Sequence, residues 1–225
     1  MSRARICLIG GSGFVGRHLA ARLIKSGYEV RVLTRRRNAH RELLVLPNLQ
    51  LIECNIFDAD ALSAQLQGMD VVVNLVGILN EQRRGNFQRA HVELTQHIVD
   101  TCRSNGVKRL LHMSALKANI ENPPSQYLRT KGEGESIALA ATDLQVTVFR
   151  PSVIFGADDQ FFNRFAKLLA LSPGIFPLAC ADARFAPVYV EDVAAAFIHA
   201  INTPETFGQA YNLCGPTPYS LRELV

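Results

Sequence analysis

The sequence predicts an α/β protein in which a parallel sheet is wound with helices on both faces. Three observations carry that prediction. Short runs rich in Val, Ile and Leu alternate along the whole chain with amphipathic stretches of helical length. The runs show little polar alternation, the pattern of strands buried on both faces. Strands joined through helices need crossovers, and these are right-handed and leave neighbouring strands parallel.

The elements follow in order. Arg5 to Ile9 is the first strand. Phe14 to about Ser26 is the first helix, with Val15, Leu19, Leu23 and Ile24 on one face and Gly27 as its stop. Glu29 to Leu33 and Leu49 to Cys54 are the next two strands. A short helix, Asp60 to Leu66, leads through Gly68 to a fourth strand, Val71 to Val76. A long helix covers about Asn86 to Ser104 and stops at Asn105-Gly106. The fifth strand is Arg109 to Met113. After Pro123-Pro124 a helix runs to about Ala141, and Gln145 to Phe149 is the sixth strand, closed by Arg150-Pro151.

Beyond residue 151 the texture changes. Phe161, Phe162, Phe165, Leu168 and Leu169 make an aromatic amphipathic helix, and Pro173, Gly174, Pro177 and Pro187 then break the chain. Val190 to Ile201 is a further helix, and residues 210–214 are a last short strand. Ser220 to Val225 opens like a helix, with a serine cap and Glu223 at the third helical position. Its end reads as a truncated chain, with a natural short tail as the alternative.

Composition bounds the class. The chain has 225 residues, 48% apolar and 20% charged, enough for one large core. A net charge of +4 does not call for nucleic acid, although basic residues cluster at Arg35-Arg36-Arg37 and at Arg83-Arg84-Arg89. Cys7, Cys54, Cys102, Cys180 and Cys214 have no metal-knuckle or CxxC spacing, so no metal site is expected. They read as buried free thiols of a reducing compartment. The apolar run after the basic N-terminus ends at Gly10, too short for a secretory leader, and no run reaches transmembrane length. A soluble cytoplasmic protein is expected, with peripheral attachment to a membrane left open.

Two motifs carry chemistry. Gly10-Gly11-Ser12-Gly13-Phe14-Val15-Gly16 lies between the first strand and the first helix, with GxxGxxG spacing. Gly10 permits the tight turn, Gly13 lets backbone approach a pyrophosphate, and Gly16 lets the helix pack on the sheet. The helix N-terminus, with Phe14 and Val15, supplies free N–H groups and a positive dipole. This is the dinucleotide-binding arrangement of a Rossmann fold. The second strand then ends in Thr34 and Arg35-Arg36-Arg37 rather than a carboxylate. A guanidinium of Arg35 or Arg36 suits a ribose 2′-phosphate, which predicts NADP(H) over NAD(H). Arg37 reads as solvated. Asn55 and Ile56 would flank an adenine, and Leu75, Val76 and Gly77 would let backbone approach the cofactor, although both stretches also read as ordinary loops.

The second motif is Tyr127-Leu128-Arg129-Thr130-Lys131, downstream of Ser114 at the end of the fifth strand. Tyr127 and Lys131 share a helix face at i and i+4. A nearby ammonium stabilises a phenolate and should lower the Tyr127 pKa. Ser114 could hold a substrate carbonyl while Tyr127 moves its proton. The expected catalytic set is Ser114, Tyr127 and Lys131. The alternative is an amphipathic helix with a surface Tyr and Lys.

Gly10/Gly13/Gly16, Asp58, Asn74 to Gly77, Ser114, Tyr127/Lys131 and Arg150-Pro151-Ser152 fall in the order of one family. The chain resembles an extended or atypical short-chain dehydrogenase/reductase of the NAD-dependent epimerase/dehydratase type. Met113-Ser114-Ala115-Leu116 and the stretch Tyr127 to Glu135 are most similar to the NADPH-binding accessory subunit of respiratory complex I and its bacterial relatives. The resemblance implies a Rossmann core over 1–151 and a small C-terminal substrate lobe over 152–225, read as truncated. It adds Pro151 and Val153 to the cofactor set, with Tyr127 and Lys131 serving there too. His91 stands where the family places an Asn, and either replaces its hydrogen bond or is a satisfied core histidine.

Two functions follow from the resemblance. One is an NADP-dependent oxidoreductase or nucleotide-sugar epimerase/dehydratase, acting on an unidentified small molecule. Arg83, Arg84 and Arg184 would suit an anionic substrate, or else are solvated. The other is a non-catalytic NADPH-binding structural or assembly protein, for which contact with a respiratory complex or the inner membrane surface is open. A redox-sensor role fits less well, because such sensors tend to lose the Tyr–Lys pair.

Overall fold

Seven parallel strands form one sheet. The computed structural model describes residues 3–81, 83–171 and 178–225. Strands β1 (Arg5–Ile9), β2 (Glu29–Thr34), β3 (Leu49–Glu53), β4 (Val71–Asn74), β5 (Arg109–Met113) and β6 (Gln145–Pro151) precede two small pairs. β7 (Ile154–Phe155) pairs with β9 (Val188–Tyr189), and β8 (Arg184–Phe185) with β11 (Tyr219–Ser220). β10 (Gln209–Leu213) returns to the main sheet beside β6. The sheet order is β10-β6-β5-β4-β1-β2-β3. The chain therefore reverses direction across the sheet between β1 and β4, and a crevice opens there at the carboxyl edge.

Side-chain alternation feeds two cores. Ile6, Leu8, Val30, Val32, Val71 and Val73 face helices α1 (Phe14–Lys25) and, numbered ahead in chain order, α6 (Val190–Ile201). Cys7, Ile9, Leu33, Val72, Leu110, Val146 and Val148 face α2 (Ala59–Leu66), α3 (Leu94–Ser104) and α4 (Gln126–Ala140). With both faces covered, the strands have no wet side, which is why they read as continuous apolar runs. α5 (Phe162–Leu171) buries none of its residues fully, and α7 (Leu221–Leu224) starts with the expected capping box between Ser220 and Glu223.

Several boundaries differ from the sequence reading. β4 ends at Asn74 rather than Val76, because the Asn74 Oδ1 accepts the Val76 N–H at 3.1 Å and turns the chain. The long helix before β5 is not uniform: Gln88–Glu93 is a π-helix that continues into α3. Cys7, Cys54 and Cys102 are buried free thiols, but Cys180 and Cys214 are exposed, since both lie in the peripheral segments beyond β6. Of the chain-breaking residues, Pro187 lies between β8 and β9, whereas Pro173, Gly174 and Pro177 fall outside the described residues.

Two polar clusters fasten the C-terminal elements to the sheet. Arg109, at the start of β5 and 4% exposed, reaches the carbonyls of Gln145 (2.6 Å), Ala200 (2.6 Å) and Ile201 (3.3 Å) and the hydroxyls of Thr147 (2.8 Å) and Thr206 (3.1 Å). Burial pushes this guanidinium down to about 10. The carbonyls it binds include those at the α6 C-terminus, where a cation suits the helix dipole. The second cluster joins α1 to α6. His18 contacts the carboxylates of Glu191 (2.5 Å, Nδ1) and Asp158 (3.0 Å, Nε2), and Arg17 pairs with Asp158. Burial disfavours the His18 charge, but hydrogen bonds to Asp158 and Glu191 outweigh it and raise the imidazole above 6.5.

Arg109→Met should lower stability by about 2–4 kcal/mol, because it orphans several buried acceptors at once. Thermal unfolding should move down by about 5–15 °C for a domain of this size. His18 gives a pH signature of opposite sense to a carboxylate. Its folded value is raised, so its contribution is complete below about pH 6.5 and declines as pH rises through the folded value. The Tm margin of wild type over His18→Gln should therefore shrink on going from acid to alkaline buffer; a constant margin would refute the assignment.

Candidate functional site

The site assembles where the loops after β1 and β4 meet. Gly10 has φ +82°, and a Cβ there would stand 3.1 Å from backbone atoms of Leu75 and Val76. Only glycine satisfies both the turn and this approach. Gly13 is the N-cap of α1, its N–H donating to the Gly10 carbonyl at 3.0 Å. The cap has no side-chain acceptor, and the first turn of α1 carries no acidic residue. The N–H groups of Phe14, Val15 and Gly16 thus lack intrahelical partners and face a positive helix end, which suits an anion. Gly16 packs on the turn itself, where a Cβ would overlap Gly11, rather than on the sheet as the sequence suggested.

The other expected cofactor residues line the same carboxyl edge. Arg35 and Arg36 are exposed after β2 and form no ion pair among the described residues. A carboxylate does stand at this corner, contrary to the reading of the Thr34–Arg37 stretch alone. It comes from the neighbouring strand: the Glu53 Oε2 accepts the Arg37 N–H at 3.0 Å. Asn55 closes a turn by accepting the Phe57 N–H at 3.2 Å, and Ile56 and Val76 pack on the same core. Leu75 is buried and Gly77 exposed. The Pro151 carbonyl accepts from Leu116 at 2.9 Å, and the Val153 carbonyl from Val188 at 2.9 Å, which ties it to the β7–β9 pair.

Ser114 and Lys131 come together across β5 and α4. Lys131 is 3% exposed, and its Nζ donates to the Met113 carbonyl at 2.5 Å, one residue from Ser114. Gly77 lies beside it: a Cβ there would be 3.8 Å from that Nζ. Burial pushes the ammonium down to about 8, partly opposed by Glu135, which Arg150 holds in a forked ion pair. The Ser114 Oγ is buried and has no hydrogen-bond partner among the described residues. A buried hydroxyl without a partner costs about 1–3 kcal/mol, a penalty that a bound acceptor would remove.

Tyr127 sits differently from expectation. Burial raises its phenol pKa, where the sequence suggested that Lys131 would lower it. The Lys131 ammonium is aimed at the Met113 carbonyl, and a buried phenolate is penalised more than it gains. The Tyr127 ring packs edge-on against Phe87 (6.0 Å) and His91 (5.5 Å). His91 is 2% exposed and satisfied at both nitrogens: Nε2 accepts the Ile78 N–H at 3.1 Å, and Nδ1 lies 2.9 Å from the Thr130 hydroxyl.

Sequence reasoning passed over His112 and Thr130. His112, fully buried on β5, takes its Nδ1 contact from Asn74 at 3.2 Å and leaves Nε2 without a partner among the described residues. Its position as the lone polar residue of the run Leu110-Leu111-His112-Met113 was the available signal. Gly134 was legible only as part of a motif; the structure gives its reason, since a Cβ there would overlap the His91 carbonyl oxygen.

The family model described as "NAD dependent epimerase/dehydratase family" matches residues 6–214. The chain belongs to this family. Among curated relatives it is similar to NADH dehydrogenase [ubiquinone] 1 alpha subcomplex subunit 9 of Mus musculus, 30% identical over 97% of this chain and 58% of that protein. It is also similar to a ceramide reductase of Caulobacter vibrioides, 29% identical over 90% of this chain and 62% of that one. The chain thus spans less than two-thirds of the length of these relatives. A solved structure of MoeE5 in complex with UDP-glucuronic acid and NAD shares the fold, with TM-score 0.85, 22% identity, and coverage of 99% of this chain and 80% of that one. Among the described residues no helix is long and apolar enough to cross a membrane, and no His, Cys, Asp and Glu group could hold a metal ion.

Gly134→Ala should force α4 away from the π-helix. Overpacking of this kind costs about 1–3 kcal/mol, so Tm should fall by about 3–10 °C. An unchanged Tm would mean that the close approach at His91 is not fixed in solution.

Proposed function

We propose that the carboxyl edge binds a nicotinamide dinucleotide, NADP(H) in preference to NAD(H), and that Ser114, Tyr127 and Lys131 assist hydride transfer to or from a small carbonyl or alcohol substrate. The observation that carries the chemistry is the buried, partnerless Ser114 Oγ beside the Lys131 ammonium. The uncapped α1 N-terminus beside the Gly10–Gly16 turn would hold the pyrophosphate. Asn55 and Ile56 would flank the adenine, and Leu75, Val76, Gly77, Pro151 and Val153 would line the nicotinamide end. Arg35 and Arg36, free of ion pairs among the described residues, would take the 2′-phosphate, with Glu53 already engaged by the Arg37 N–H.

When bound, the nicotinamide supplies or accepts the hydride. The rest falls to the chain. In the reducing direction Ser114 Oγ–H donates to the substrate carbonyl oxygen, and Tyr127 O–H gives that oxygen its proton as negative charge builds there. The Lys131 ammonium supplies positive charge at this corner, which would lessen, without cancelling, the cost that burial places on the phenolate. Nucleotide sugars belong among the candidate substrates.

A second reading has its own support. Relatives named as complex I subunits share 30% identity with this chain, and burial raises rather than lowers the Tyr127 phenol. In that reading the dinucleotide is a permanent ligand of an assembly protein, and contact with a respiratory complex or membrane surface follows.

Equilibrium binding should show NADPH held more tightly than NADH, by about tenfold or more, and Arg35→Ala should remove most of that ratio. Equal affinities would sink the NADP preference. In a turnover screen over sugar nucleotides, ketones and quinones, Tyr127→Phe should abolish any activity found. That activity should decline above pH of about 8, where Lys131 loses its charge. Tight NADPH without turnover on any of these would favour the assembly role.

A further inference from the structure

We propose that His91 is a positioning residue: as a neutral ring protonated at Nδ1, it ties the loop after β4 to α4 and so fixes Ile78 and Tyr127 relative to each other. The inference rests on the functional reading above for its consequence, but not for its geometry. The Ile78 amide fixes the direction of the hydrogen bonds that His91 makes. The Ile78 backbone N–H can only donate, so the His91 Nε2 that receives it at 3.1 Å carries no proton. In a neutral ring the proton is then on Nδ1, which donates to the Thr130 Oγ1 at 2.9 Å. That hydroxyl has its own proton left to give, and the carbonyls of Gln126 and Tyr127 both lie 3.1 Å away. One relay therefore runs from the Ile78 amide through His91 and Thr130 to the backbone of the helical turn that bears Tyr127.

Packing holds the ring in place on its other sides. Phe87 stacks on it at 5.5 Å with 20° between planes, and Tyr127 meets it edge-on. The π-helix sets the ring's place on the backbone, with the Thr95 hydroxyl donating to the His91 carbonyl at 2.7 Å. A second proton on the ring would set an Nε2–H against the Ile78 N–H. Lys131 and His112 are the other basic groups of the neighbourhood, and burial together with the Lys131 charge pushes His91 down to about 3.

The test begins on the wild-type protein without nucleotide. Long-range proton–nitrogen NMR of the imidazole should show the Nδ1–H form unchanged from about pH 5 to 8. An Nε2–H ring, or a ring that takes up a second proton in that interval, overturns the proposal. His91→Phe keeps a flat ring and removes both hydrogen bonds, whereas His91→Gln keeps one acceptor and one donor. Hydrogen exchange at the Ile78 amide should speed up about tenfold in His91→Phe and recover in part in His91→Gln. NADPH affinity should fall about tenfold in His91→Phe and in Thr130→Val, and the double variant should lose little more than either, because both cut one relay. Additive losses, or an Ile78 amide that exchanges as in wild type, count against the relay. If His91→Phe does not fold, Thr130→Val against Thr130→Ser reads the same coupling. If wild type fails to bind NADPH, the functional reading falls while the tautomer and exchange results still judge the tether.

Discussion

Everything at the carboxyl edge depends on the approach of two backbone loops, the one after β1 and the one after β4. At Gly10 they come so close that a methyl group would press on Leu75 and Val76. That contact exists because the chain winds outward from β1 to β3 and then returns to place β4 on the other side. A parallel sheet puts all its carboxyl ends on one edge, so the reversal leaves α1 pointing its uncapped N-terminus into the resulting crevice. Asn74 strengthens the arrangement by ending β4 with its own side chain and so turning Leu75–Gly77 toward the glycine turn. The α1 N-terminus and the Leu75–Gly77 loop are therefore set by one backbone geometry rather than separately.

The second dependence is the seating of α4. This helix brings Lys131 and Glu135 into the protein and holds them there, both within a few percent of full burial. It can come that close because Gly134 leaves room for the His91 carbonyl and Gly132 for the backbone of Asn119. The gain is a charged amine delivered to the Met113 carbonyl next to Ser114. The cost is the desolvation that lowers the amine's pKa and raises that of Tyr127. Local cost concentrated in one pocket, with satisfied packing around it, is the pattern expected of a site kept for chemistry or for a ligand.

Much of this was legible in the sequence for physical reasons. Strands buried on both faces cannot alternate, so the runs around Ile6, Val32, Val72 and Leu110 announced a covered parallel sheet. The glycine turn announced itself because φ and close approach admit few residue types. What was not legible depends on contacts distant in sequence. Nothing near Arg35 reveals that Glu53 of the next strand occupies the same corner. Nothing near Tyr127 says that Lys131 turns toward Met113 instead. The π-turn at Gln88–Glu93 is invisible to a periodicity that only averages over a helix. His91 was open between two roles, because the nitrogen partners that decide it, Ile78 and Thr130, come from two other segments.

The bases gathered in this pocket also determine its charge. His91, His112 and Lys131 influence one another, and burial penalises a proton on each. Only one can hold a charge cheaply, and the ordinary values decide which. Lys131 begins four units higher than a histidine, at 10.5 against 6.5, and still retains its proton up to about 8. Its charge then pushes both imidazoles further down, so they stay neutral where the ammonium is present. The hydrogen bonds agree with this order. His91 and His112 each use one nitrogen as an acceptor, from Ile78 and from Asn74, which a protonated ring could not do. Two neutral histidines are thus rigid parts of the frame, and of these three bases it is Lys131, held at the Met113 carbonyl next to Ser114, that carries the positive charge.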